Sequence, residues 1–344
     1  MNDRTLRVVA ALVGLVFVSS CSESPDARSE VVIYTSVDEI FARPIAARFE
    51  TETGIRVLLV PDTEETKSTG LLNRLIAERA RPQADVFWSG DPVRAAILKS
   101  RGISEPYQSP QAEDLPTLYS DADGHWTGFS ARARVLIYNT DLVPEREQPT
   151  SVMDLVDPRF RDRSAIANPL FGTTSMHAAA LFQVLGPERA REFFERFIEN
   201  GGTIVSSNGE VRRRVAAGDF AIGITDTDDF NVALLEGRPV RAVYPDQDGM
   251  GTLVIPNAAV LIAGAPNPAA GRRFIDFVLR PETEQALAES EAAQIPLRPS
   301  VPAPERVARL SEIRAMSVNY TTLGDELEDL SAGFLADWVA RNSE

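Results

Sequence analysis

Apolar positions along the chain alternate between two periods from residue 31 onward. "VVIYT" (31–35) is a near-continuous apolar run, the pattern of a parallel strand buried on both faces. In "DEIFARPIAARFETETG" Phe41, Ile45 and Phe49 recur every four residues and Gly54 supplies a stop, which predicts a helix. "IRVLLV" (55–60), a helical "TKSTGLLNRLIAERA" (66–80), "ADVFW" (84–88) and a helix from Pro92 to Ser100 follow. That order is βαβαβα, a doubly wound α/β lobe.

A second stretch repeats the logic with other lengths. "SAIAN" (164–168) leads into "PLFGTTSMHAAALFQVLG", and "ERAREFFERFIENGG" puts Phe193, Phe194, Phe197 and Ile198 on one helical face. "TIVS" (203–206), "NGEVRRRVAAG" (208–218), "FAIGIT" (220–225), "DDFNVALLEG" (228–237) and "VRAVY" (240–244) complete another alternation. Two longer strand-like segments flank this block, "WTGFSARARVLIYN" at about 126–138 and "GTLVIPNAAVLIAG" (251–264), the latter interrupted by Pro256. Helices are expected again at 267–279 and 281–289. Long strands at those places let the chain cross from one lobe to the other and back.

The N-terminus decides the compartment. Arg4 and Arg7 precede an apolar run, Val8 to Val18, too short to span a bilayer and laid out as a secretory signal. Val18-Ser19-Ser20-Cys21 then resembles the lipobox of bacterial lipoproteins, in which the cysteine is lipidated and becomes the new N-terminus. Cys21 is the single cysteine, so disulfides, thiolate metal sites and a cysteine nucleophile are excluded. The polar "SESPDARSE" that follows reads as a tether. Loss of Asp3, Arg4 and Arg7 with the leader leaves 33 basic and 49 acidic residues, a net charge of −16 against −15 for the whole chain. Nucleic acid is thereby disfavoured as a partner, because binding it needs a basic face.

The layout resembles the type II periplasmic binding proteins. The residues resemble one branch of them, the iron(III)-type extracellular solute-binding proteins of ABC importers. The resemblance runs from about 31 to 300 and is carried by "VVIYTSVDEIFARPIAARFETETGIRVLLV", "RPQADVFWSGDP", "GFSARARVLIYN" and "AAGDFAIGITDTDD" in that order. It implies two lobes, each a doubly wound sheet, joined by two crossing strands and closing on a solute that is delivered to a membrane permease. The expected boundaries are a signal peptide at 1–20, a lipidated tether at 21–30, a first lobe from 31–130 and 257–344, and a second lobe at 131–256. A monomer is expected, lipid-anchored in the periplasm or at the cell surface.

Ligands of open α/β sheets sit beyond the carboxyl ends of the strands. The candidates are therefore Ser36, Asp38 and Glu39 after the first strand, Thr63 and Glu64 after the second, and Ser89 and Asp91 after the third. Arg132 and Arg134, two apart on the crossing strand, share a face. The second lobe adds Gly172, Thr173 and Thr174 before one helix, Asn208 before another, and Asp226 and Thr227 in "GITDTDD". Each has a plainer role open to it. Asp38, Ser89 and Asp91 are also suited to cap helices, and Asp228 and Asp229 to a first helical turn. His125 and His177 share no metal-site spacing and read as structural.

The family comparison shifts the ligand question. Many iron(III)-binding members place adjacent tyrosines after the strand that here is "FAIGIT", and this chain has Asp226 and Thr227 there. The part associated with an accompanying anion persists in Gly172, Thr173, Thr174 and Asn208. Two ligand classes stay open: Fe(III) or another hard cation held with an anion, with Asp38 and Asp226 as metal ligands, or a small anionic or zwitterionic organic solute such as a phosphonate, sugar phosphate or amino compound. A sensory adaptor that presents its ligand to a receptor is a third class. No GxSxG, HExxH or phosphate loop at proper spacing is present, so catalysis is not expected, and no cofactor beyond a bound Fe(III) with its anion.

Overall fold

The computed structural model describes residues 29–62 and 68–342. The expected leader, the tether up to residue 28 with Cys21, and the candidates Thr63 and Glu64 lie outside the described residues. Among those described, no helix is long and apolar enough to cross a membrane.

The first lobe grows from parallel strands, as its doubly apolar runs require. β1 (Glu30–Thr35) lies between β2 (Arg56–Pro61) and β3 (Val86–Ser89), parallel to both. Helix α1 (Glu39–Thr53) buries Phe41, Ile45 and Phe49, and Gly54 ends it in the left-handed conformation at φ 70°, its N–H donated to Glu50 O. α2 (Thr69–Ala77) and α3 (Pro92–Ser100) continue the winding, and the short β4 (Ser104–Glu105) adds to a later strand.

β5 (Thr127–Asn139) is the first crossing strand and is buried along all 13 residues. In the second lobe β6 (Ser164–Ala167) runs parallel to β7 (Thr203–Val205) and β8 (Ile222–Asp226). Around them wind α4 (Gly172–Leu185), α5 (Pro187–Glu199), α6 (Asn208–Ala217) and α7 (Thr227–Leu235), with β9 (Val240–Val243) at the side of β5. The return strand is β10 (Val254–Ile262), followed by α8 (Pro268–Val278) and α9 (Pro281–Glu289).

The strands join in one sheet, in the order β2-β1-β3-β10-β5-β8-β6-β7. β5 pairs antiparallel with β10 through its first half and with β8 through its second, so it belongs to both lobes. Within the half paired with β10 the register slips: Pro256 faces Ala131 and Asn257 faces Phe129, leaving Ser130 unpaired as a bulge. Ser130 adopts φ 38°, a left-handed backbone that a serine seldom takes, and its N–H is held by Glu284 Oε1 at 2.9 Å. Pro256, which cannot donate to a ladder, sits at this irregularity and not within regular pairing.

Two helices at the C-terminus, α10 (Tyr320–Ala332) and α11 (Phe334–Asn342), have no counterpart in the sequence reading. The expected boundaries place both with the first lobe, and α11 also packs on second-lobe residues. Leu335 and Trp338 join the second apolar cluster, with the Trp338 ring 5.1 Å from that of Phe194. The chain thus crosses once more than the two long strands alone imply.

Candidate functional site

The carboxyl ends of β1, β6, β7 and β8 converge with β5 on one polar cavity of about 40 Å³, room for a few water-sized groups. Its wall is built around a cross-strand pair. Arg134 stands directly opposite Asp226 in the β5/β8 ladder, and its guanidinium donates to Asp226 Oδ1 at 2.7 Å with both side chains buried. Asp226 is the residue at which β8 turns into α7, yet its carboxylate serves the neighbouring elements instead of the amides of α7. Thr173 Oγ1 donates to Asp226 Oδ2 at 2.6 Å, while Arg134 also donates to Thr173 Oγ1 at 3.0 Å, Asn208 Oδ1 at 3.1 Å and Thr174 Oγ1 at 3.2 Å. The first turns of α4 and α6 are tied to β5 and β8 through these bonds.

Arg132 lies on the same face of β5, two residues nearer the first lobe. Its Nη2 donates to Gly90 O at 2.6 Å, and its Nη1 lies 3.3 Å from Asp228 Oδ2 and 3.5 Å from Asp226 Oδ2. One side chain therefore touches the loop after β3, the end of β8 and the first turn of α7 at once. Burial opposes the Arg132 charge, but Asp228, Asp226 and Asp38 outweigh it and hold the guanidinium firmly protonated.

The acids are crowded. Asp226, Asp228 and Asp229 each offer a carboxylate oxygen within 4.8 Å of the others, and Asp38 lines the same cavity from the first lobe. Burial would raise the Asp226 carboxyl, yet Arg134, Arg132 and the Thr173 hydroxyl hold it below the ordinary range. Asp229 goes the other way. Burial, then Asp228, Asp226 and Asp38, push its carboxyl up to about 8, against one donated bond from Thr225 Oγ1 at 2.8 Å. Hard oxygen donors packed this closely suit a multiply charged cation.

Of the candidates read from the sequence, Ser36, Asp38, Arg132, Gly172, Thr173, Thr174, Asn208 and Asp226 line the cavity. Arg134 lies behind it, fully buried and consumed by its partners. Thr227 Oγ1 accepts from Ala133 N at 3.2 Å and so joins α7 to β5. Three candidates do other work. Asp91 caps α3 by accepting from Arg94 N at 3.0 Å, and Ser89 Oγ accepts from Asp91 N at 3.3 Å. Glu39 is exposed and paired with Arg43 one helical turn away. His125 and His177 are outside the lining; burial, then the Arg134 charge, pushes His177 down to about 3, so it is neutral.

The sequence reading missed Ser68, Ala167, Asn168, Phe171 and Ser206, which line the cavity together with Ser207, the cap of α6. Asn168 had a signal, since it closes the strand run "SAIAN". Arg94 had none. It reaches from α3 to the start of α4, donating to Ser175 Oγ at 2.6 Å and standing 3.4 Å from Gly172 O. That bond joins the lobes directly beside the cavity.

A profile for the family described as bacterial extracellular solute-binding protein matches residues 81–318. Iron uptake protein A1 of Synechocystis sp. is 29% identical over 336 residues, 92% of this chain and 91% of that protein. Iron-bound HitA from Pseudomonas aeruginosa superposes with a TM-score of 0.81 at 23% identity, covering 90% of this chain and 99% of its own. AfuA from Actinobacillus pleuropneumoniae, solved with fructose-6-phosphate bound, gives 0.81 at 20% identity over 92% and 99%. At these identities the structural likeness carries the fold, which is the two-lobed type II arrangement expected from the strand order.

Proposed function

This chain belongs to the bacterial extracellular solute-binding proteins, and from that premise we propose that it captures Fe(III), or a cation equally hard, together with a small anion, for delivery to an ABC permease. The observation that carries this reading is the carboxylate group of Asp226, Asp228 and Asp229 facing Asp38 across a cavity of about 40 Å³. With Asp229 holding its proton up to about pH 8, three ionised acids and two guanidinium groups still leave the site negative. A trivalent cation reverses that sign, and an accompanying anion at the first turns of α4 and α6 restores balance. The relative named for iron uptake supports the choice of cation.

Capture proceeds by closure. Asp38 comes from the first lobe and Asp226 and Asp228 from the second, so their joint contacts with a cation exist only when the lobes are together. Arg132, bonded to Gly90 O, stands between the first lobe and the carboxylates of Asp226 and Asp228 and spaces them. Among the described residues no tyrosine lines the cavity, so the ligands are carboxylates, hydroxyls and water and not phenolates. The Cys21 motif supports a lipid anchor that holds the protein near its permease.

A second reading, an anionic organic solute held without metal, rests on Arg132, whose Nε is buried and has no partner among the described residues. Elemental analysis with native mass spectrometry of the protein purified from iron-replete cells separates the two: one equivalent of iron is expected, and a metal-free protein carrying an organic adduct overturns the proposal.

A further inference from the structure

Successive residues of a strand face opposite sides, so Val135 points away from the face that carries Arg134. On that far side lies a second cavity, of about 290 Å³. The second lobe supplies Phe230 and Asn231 of α7 and Tyr244 just after β9; the segment after α9, which is bonded to β5 through Ile295 and Ala131, supplies Glu305, Val307 and Glu312. An occupant would touch elements of both lobes behind the hinge.

The cavity contains an unmet hydrogen-bonding group. Asn231 is only 3% exposed; its Nδ2 donates to Glu291 O at 2.8 Å, while its Oδ1 has no partner among the described residues. A buried acceptor left this way is costly, and natural proteins fill such positions with a donor. The charges around it are mainly acidic. Glu305 and Glu312 are exposed at the rim, Glu312 also accepting from Arg309 N at 3.0 Å, and the one lining cation, Arg306, is turned to the carbonyls of Glu289 and Ser290 at 2.7 and 3.2 Å. Phe230 and Tyr244 add aromatic surface, which attracts a cation through the ring faces. Acceptor, carboxylates and rings in one small half-apolar cavity match the usual make-up of a ligand pocket.

We infer that this rear cavity is a second binding site, for a small organic ammonium compound whose N–H or C–H donors face Asn231 Oδ1 and whose charge is offset by Glu305 and Glu312. It does not rest on the cation reading of the cleft.

Calorimetric titration of the full-length protein with ethanolamine, putrescine and choline tests it. At least one is expected to bind saturably at one equivalent. Glu305→Gln with Glu312→Gln, both exposed, should weaken that binding tenfold or more without moving the unfolding midpoint, and Ala308→Trp should abolish it by filling the cavity. Should Ala308→Trp fail to fold, the glutamine pair decides alone. The inference fails if none of the three compounds binds, if binding survives the glutamine pair, or if Asp228→Asn in the cleft removes it instead.

Discussion

Arg134 and Asp226 face each other across the β5/β8 ladder at 2.7 Å, and neither side chain reaches solvent. Each stabilises the other's charge in the interior, with Arg132 and Thr173 also acting on the carboxylate. Arg134→Ala leaves a buried carboxylate facing an unfilled space, at an expected cost of about 3–5 kcal/mol in urea denaturation. Combining it with Asp226→Leu should recover part of that loss. Strict additivity of the two single effects would mean that the pair is not coupled.

The Arg94–Ser175 bond links α3 to α4 across the two lobes at 2.6 Å, and parting the lobes would break it. Ser175→Ala removes one neutral partner of a charged donor, worth about 1–2 kcal/mol, so cleft affinity should fall roughly fivefold to thirtyfold. Small-angle scattering of the loaded variant should show a larger radius of gyration than the loaded wild type. An unchanged affinity and radius would exclude this bond from closure.

Asp229 gives the empty protein a defined pH response. Folded, it keeps its proton up to about pH 8, whereas an unfolded aspartate releases it near pH 3.9. Between those values the folded state binds more protons, so this group's contribution to stability falls as pH rises through that window. Asp229→Asn retains an acceptor for Thr225 Oγ1 and removes the penalty. At pH 8 the variant should be more stable by about 1 kcal/mol or more, and at pH 5 by less. Equal slopes of stability against pH in the two proteins would contradict the crowding described for these acids.

Colour offers a further check. With no tyrosine lining the cavity among the described residues, the iron-loaded protein should lack visible absorption from tyrosinate-to-iron charge transfer. An intense visible band on loading would place a phenolate at the metal and overturn the ligand set.

Much of this was legible in the chain because parallel strands buried on both faces read as apolar runs: "WTGFSARARVLIYN" at 126–138 became β5 at Thr127–Asn139. "GITDTDD" was legible as a strand end. Its inner arrangement was not, since the partner that draws Asp226 away from capping is Arg134, 92 positions away. The alternation that puts Arg132 and Arg134 on one face does not show that one lines the cavity and the other is sealed behind it. Asp91 and Glu39 sit at the right strand ends and are diverted by local partners, an amide of α3 and Arg43. α11 escaped because its apolar face is matched by Phe194, which belongs to the other lobe.

Titration of metal-stripped protein with Fe(III) supplied as its nitrilotriacetate complex, for the wild type and for Asp226→Asn and Asp228→Asn, tests the cation reading most directly. Saturation at one equivalent in the wild type, with at least tenfold weaker binding in each variant, is the expected result; no uptake by the wild type, or uptake indifferent to both substitutions, would contradict it.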